Sequence, residues 1–248
     1  MEASAGSPRT SRTMSMLWTP PGEDRTSQTG LTLATIIDAA TEVADERGDT
    51  AVPLRAIGER LGCSAMALYT YVDGKEELLD LMYDRVHREF GTAAPVSVIE
   101  WTERLLELYL AHPWLLDIAT ARPVLGPHQQ QAFELLLGTI VPYGFDRRDV
   151  VAIASSAYSL SAAAARTIAD ARRARSGAEE DDEPSWNTRL DALAAAAPDF
   201  AERFPFASGL GHAAPGDGMP SMEQAARENL RRSVELLVAG ASNPADAG

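Results

Sequence analysis

Cysteine is almost missing from this sequence. Cys63 is the only one in 248 residues, so no intrachain disulfide can form. Histidine is scarce as well: His87, His112, His128 and His212 fall at no ligand-like spacing with one another or with Cys63, and a metal centre is not expected. No apolar run approaches the roughly 20 residues that span a bilayer. The first stretch, Met1 to Gln28, lacks the apolar segment of a signal peptide. Cytoplasm is the expected compartment, with no membrane partner. There is no Gly-rich phosphate loop, no Ser/His/Asp arrangement and no carboxylate pair, so nothing points to an enzyme or to a cofactor. Strand alternation is absent too. Lysine is reduced to Lys75, with arginine supplying the remainder of the 22 basic residues. Together with the alanine richness, this reads as GC-biased coding.

What is present is acid. The net charge of −14 argues against nucleic acid, because phosphate contacts need local positive charge. The distribution weakens that objection. Between Pro53 and Lys75, Arg55, Arg60 and Lys75 face only Glu59 and Asp73, while Glu179 to Glu183 form a remote acidic run. From Ser64 to Val72 no residue is charged. The helix before this region, carrying Asp38, Glu42, Asp45 and Glu46, is acidic, and weak non-specific DNA affinity follows.

Helical periodicity dominates the chain, and the expected fold is all-α. Residues 1–30 show no period and read as a flexible arm; Arg9, Arg12 and Arg25 in it offer a minor-groove contact as the alternative to a solubilising tail. Thr32 is a plausible cap for a helix with Ile36, Ile37, Ala40, Val43 and Ala44 on one face, stopped at Gly48. A short helix from Pro53 to Leu61, a turn at Gly62-Cys63, and a very short helix from Ser64-capped Ala65 to Tyr71 follow. Another helix runs from Lys75 to about Phe90. Beyond Pro95, helices are expected at about 96–110, 113–120, 127–141, 146–173, 186–197 and 221–239. Residues 174–184 read as a charged loop and 198–220 as irregular.

The pair flanking Gly62-Cys63 has helix-turn-helix proportions. The second helix must be short and small-faced at its start to enter a major groove. Ser64 can donate to a phosphate or base edge, and Ala65 and Met66 can touch a thymine methyl. Tyr69 and Tyr71 carry hydroxyls for phosphate oxygens, and Lys75 adds a cation.

Residues 31–86 resemble the N-terminal domain of the tetracycline-repressor (TetR) family without a gap. The resemblance rests on the first helix ending at Gly48, on Leu54-Arg55-Ala56-Ile57, on Leu61-Gly62, and above all on Leu68-Tyr69-x-Tyr71-Val72-x-Gly74-Lys75-x-x-Leu78-Leu79. It implies a three-helix DNA-binding head over 31–90, a larger helical ligand-binding and dimerising domain over 91–240, and a disordered tail over 241–248. It also implies phosphate contacts from Thr32, Tyr69, Tyr71 and Lys75, and base contacts from Arg55 and Ser64 to Met66, with Leu68 in the same contacting set. Pro53 stands where the family has a Ser or Thr cap, which removes a phosphate contact there. The implied partners are double-stranded operator DNA, a small-molecule effector and a second copy of the chain, and the implied activity is repression relieved by the effector.

In the larger domain, Trp101, Leu105, Tyr109, Trp114, Phe133, Leu137 and Tyr158 form an apolar set. With Gln130 and Ser161 as polar handles, they make up the candidate effector site. Two rival readings stay open: an interaction module that kept the fold but lost DNA binding, and an enzyme using the body cavity.

Overall fold

A computed structural model describes residues 8–19, 31–118, 123–177, 186–210 and 221–241. Those residues are mostly helical, with no strand among them. Among the described residues twelve α-helices follow one another: α1 Pro8–Leu17, α2 Leu33–Arg47, α3 Leu54–Leu61, α4 Ala65–Leu68, α5 Lys75–His87, α6 Val98–Ala111, α7 Pro127–Ile140, α8 Arg147–Gly177, α9 Trp186–Ala196, α10 Phe200–Arg203, α11 Pro205–Leu210 and α12 Met222–Ala241. Short 3-10 turns at Arg88–Phe90, Pro113–Asp117 and Val141–Tyr143 link some of them.

Local chemistry sets most boundaries. Thr32 caps α2 through a reciprocal pair with Thr35, and Gly48 closes the helix in the left-handed conformation. Ser64 and Ser97 accept from the third backbone N–H of α4 and α6. Pro53 precedes α3 without a side-chain cap. Glu76 and Glu77 open α5 while Arg85 sits in its last turn, which complements the helix dipole.

Two compact units divide the chain: Met1–Arg166 with Asn229–Gly248, and Thr167–Glu228. In the first, Ile36, Ala40, Ala44, Ile57, Leu68, Val72 and Met82 form a solvent-free core under the short helices. A further core gathers Trp101, Leu105, Leu106, Leu136, Ile140, Ile153 and Ala157 from α6, α7 and α8. In the second unit Arg172 binds Glu223 through two hydrogen bonds of 3.2 and 2.7 Å.

The structure corrects several boundaries. The arm expected over 1–30 contains helix α1. Thr13 and Leu17 are buried on its inner side, and the Trp18 indole N–H donates to the Leu125 carbonyl at 3.1 Å. Two inward positions are too few to raise a periodic signal, and such a short helix depends on tertiary contacts. Arg25, like residues 1–7 and 20–30, lies outside the described residues. The short helix after the Gly62 turn stops at Leu68, and Tyr69 to Tyr71 continue as a turn. Helix α8 runs to Gly177, into the loop expected from 174, whose remainder from 178 lies outside the described residues. Helices α10 and α11 occupy part of 198–220; residues 211–220, with His212, lie outside, as do 119–122 and 242–248.

Candidate functional site

The bend between α3 and α4 is built by close packing. The Cys63 N–H donates to the Gly58 carbonyl at 2.8 Å, and a β-carbon at Gly58 would stand 2.6 Å from the Cys63 carbonyl oxygen. Glycine at 58 therefore lets the chain fold back tightly enough to bring Ser64 next to α3. Leu68 is wholly buried and anchors α4, so it is a core residue; its expected place among the DNA-contacting residues is corrected. On the outer side, Ser64 is exposed, Met66 is 73% exposed and Tyr69 is 52% exposed. Ser64 Oγ accepts from the Ala67 N–H at 3.3 Å, which leaves its own proton free to be donated outward.

Charges beside this surface are largely internal. Arg60 reaches Glu42 at 2.9 Å and Glu46 at 2.5 Å, which offsets part of the charge of two acids of α2. Arg55 pairs with Glu59 at 2.9 Å, one turn along α3, but both side chains are solvated and the pair breaks at little cost. Lys75 is exposed at the start of α5. Thr32 is half-buried with its hydroxyl engaged in capping. Tyr71 differs from expectation: its hydroxyl donates to the Leu31 carbonyl at 3.0 Å, so its single proton is already used.

The candidate effector residues fall into separate groups. Trp101 is fully buried; its indole N–H donates to the Ala132 carbonyl at 2.8 Å and its ring meets Tyr158 edge-on at 4.9 Å. Phe90 also lies against Trp101, at 5.3 Å between ring centroids. Leu105 is fully buried, and Gln130, Phe133 and Leu137 are half-buried on α7. Burial raises the Tyr109 and Tyr158 hydroxyls well above the ordinary tyrosine range and pushes Tyr83 up to about 12. The three hydroxyls feel one another: Tyr83 acts on both others, and Tyr158 on Tyr109.

Two expected members are engaged elsewhere. The Trp114 indole N–H donates to Asp45 at 2.8 Å, the same carboxylate oxygen that His112 Nδ1 meets at 2.8 Å. This ties the turn after α6 to α2. Ser161 is fully buried and donates to the Thr102 carbonyl at 3.2 Å, clipping α8 to α6.

The family model for bacterial regulatory proteins of the tetR family matches residues 36–82, and that for the tetracyclin repressor-like C-terminal domain matches residues 97–217. The chain belongs to the TetR family. The HTH-type transcriptional repressor DrrR1 of Streptomyces coeruleorubidus is 34% identical over 199 residues, 76% of this chain and 73% of that protein. An HTH-type transcriptional regulator of Saccharopolyspora erythraea is 29% identical over 160 residues, 61% of this chain and 68% of that protein. Among solved structures, apo ActR of Streptomyces coelicolor has a TM-score of 0.61 at 22% identity, covering 85% of this chain and 96% of its own. ActR has also been crystallised in complex with actinorhodin. The second family match carries the kinship well past residues 31–86, where the sequence resemblance stopped.

Within this TetR-family chain, sequence reasoning missed three features. The first is the trio Tyr83, His87 and Phe90, which adds to the Trp101–Tyr158 cluster; the spacing Tyr83 to His87, one helical turn apart on α5, was its only trace. The second is Asp84. One of its carboxylate oxygens accepts from the His128 and Gln129 N–H groups at 2.9 Å each, and the other meets His128 Nδ1 at 2.8 Å. A buried carboxylate on α5 therefore caps α7, which the sequence spacing does not reveal. The third is Arg12, which donates to the Tyr71 carbonyl at 3.1 Å and pairs with Asp73 and Glu77.

Proposed function

We propose that this chain is a homodimeric transcriptional regulator of the cytoplasm, without enzymatic activity, that represses from an operator and is released by a small molecule. The division into a DNA-binding head over 31–90 and an effector-binding, dimerising body over 91–240 belongs to the same proposal. The observation that carries it is the outward display of Ser64, Met66 and Tyr69 on a four-residue helix anchored by the buried Leu68. Such a tip can enter a major groove, where Ser64, Ala65 and Met66 read base edges while Tyr69 and Lys75 hold phosphates. Arg55, expected as a base contact, lies on the first helix of the pair, which crosses the backbone, and once released from Glu59 is assigned to a phosphate instead. Thr32 adds a contact through its hydroxyl oxygen only if bridged by water. Tyr71 supports the surface from behind by holding Leu31.

One short helix reads few bases, so two heads about one DNA turn (roughly 34 Å) apart are required. The surface offered to the second copy is the groove of about 390 Å³ between the start of α8 and the end of α12. Val151 and Leu236 are more than half exposed beside it, and Ala152, Gly240 and Ala241 let helices approach closely. The effector reading rests on the aromatic cluster around Trp101 and Tyr158, and the complex of ActR with actinorhodin is in keeping with it. Effector binding shifts the population towards head spacings that no longer fit successive grooves, with α5 as the lever.

Gel-shift titration on the intergenic DNA beside its own gene tests the proposal. Tyr69→Ala and Lys75→Ala each weaken binding by about tenfold or more while the dimer stays folded. Unchanged binding would remove the assigned roles. The acid-rich α2, whose charge Arg60 only partly quenches, favours a second reading: an interaction module that has lost DNA binding. No retention of the promoter fragment at moderate salt would establish that reading instead.

A further inference from the structure

His87 closes α5 and is 2% exposed. Its Nδ1 lies 2.7 Å from the Tyr83 carbonyl, which can only accept. Nδ1 therefore carries the ring proton, and Nε2 is left as a bare acceptor. Among the described residues, Nε2 is the one fully buried side-chain polar atom with no hydrogen-bond partner. An orphan acceptor costs free energy unless a donor arrives, so its retention points to a ligand. Its surroundings say what kind. The Tyr83 ring lies 4.4 Å away; the Tyr83 hydroxyl acts in turn on that of Tyr158, whose ring meets Trp101, and Trp101 meets Phe90. The same desolvation that raises the tyrosine hydroxyls holds the imidazole neutral.

We infer that His87 is a specificity-determining residue of the effector site, whose Nε2 accepts a hydroxyl proton from an uncharged, flat aromatic effector packed among Tyr83, Trp101 and Tyr158. The inference rests on the reading of that cluster as the effector site and adds the chemistry it selects. A charged ligand is disfavoured in so desolvated a place, and a purely apolar one leaves Nε2 unpaired. Tyr83 is half-buried, with its ring tilted at 36° to the imidazole, and in this reading its rotation admits the effector to Nε2. The pairing is made at the far end of the helix that begins with Lys75, about 18 Å along the α5 axis. An effector held there acts directly on the lever.

The test uses the full chain with two probes of nearly equal shape, 2-naphthol and 2-methoxynaphthalene, titrated by calorimetry. In parallel, the ¹⁵N resonance of His87 Nε2 is followed in the unaltered protein. The expected result is that 2-naphthol binds about tenfold more tightly than its methyl ether, the value of one buried hydrogen bond. The Nε2 resonance moves with the naphthol alone. In His87→Phe, which keeps a buried ring, the preference falls below about twofold. Equal binding of the two probes, or an unmoved Nε2 resonance at saturation, overturns the role of His87 and leaves the cluster as an effector site. Binding of neither probe overturns both. The resonance and the probe comparison are read in the native chain, so a misfolded variant does not rescue the inference.

Discussion

His87 enters the folded state neutral, and burial lowers its pKa from the ordinary 6.5. The unfolded chain, with an unshifted imidazole, binds the proton more readily. Stability attached to this residue is therefore intact above about pH 7 and declines as pH falls through 6.5 towards the folded value, with a slope of at most about 1.4 kcal/mol per pH unit. Urea melts between pH 7.5 and 5.5 should show the native chain losing stability faster than His87→Phe; parallel curves would mean that the ring is not protonated on unfolding. Tyr71 teaches a different lesson at this scale. Its place after the turn suggested a phosphate ligand, yet one hydrogen bond to Leu31 makes it a brace. Residue type and position were readable from the sequence, but the partner 40 residues away was not. Ser161 and Trp114 shifted role for the same reason: their polar atoms found carbonyl or carboxylate partners on distant helices.

Helix α1 and the α5–α7 junction set the energetics between elements. In α1 the buried Leu17 should matter more than the visible ion pairs, because Arg12 and Asp73 remain more than a third exposed and solvent screens them. Leu17→Ala is expected to cost about 2 kcal/mol and Arg12→Ala about 1 kcal/mol or less. Thermal melts giving the reverse order would show that the strap is electrostatic. At the second junction, Asp84 holds the N-terminus of α7, and a β-carbon at Gly126 would collide with that carboxylate. Asp84→Ala and Gly126→Ala therefore break one contact in two ways. Each should destabilise by about 2–3 kcal/mol, and the double variant by much less than the sum. Additive losses in denaturant titrations would separate the two residues. Helices with a long apolar face were legible in the sequence: α2, whose cap and stop were also readable, almost to the residue, and α6 to within about two residues. Helix α1 was not, since its order comes from Glu77, Tyr71 and Leu125 rather than from its own pattern.

Charge governs the molecule as a whole. A net charge of −14 must be overcome by a few cations on each head, and the structure shows where they are held. Arg60 is committed to Glu42 and Glu46, whereas Arg55 is bound only to the solvated Glu59, and Lys75 stands exposed. The proposed dimer would thus bring about four cations to phosphate, two per head. At roughly −0.9 per phosphate neutralised, the logarithm of operator affinity should fall with that of salt at a slope near −4. Raising salt from about 50 to 200 mM then weakens binding on the order of 100-fold. Glu59→Gln frees Arg55 without touching α4, and should tighten operator binding about fivefold while leaving the slope nearly unchanged, since Arg55 is proposed to reach phosphate in the complex already. Fluorescence anisotropy across a salt series measures both quantities. A slope steeper than about −8 would mean that other arginines reach the backbone, and Glu59→Gln without effect would take Arg55 out of the interface.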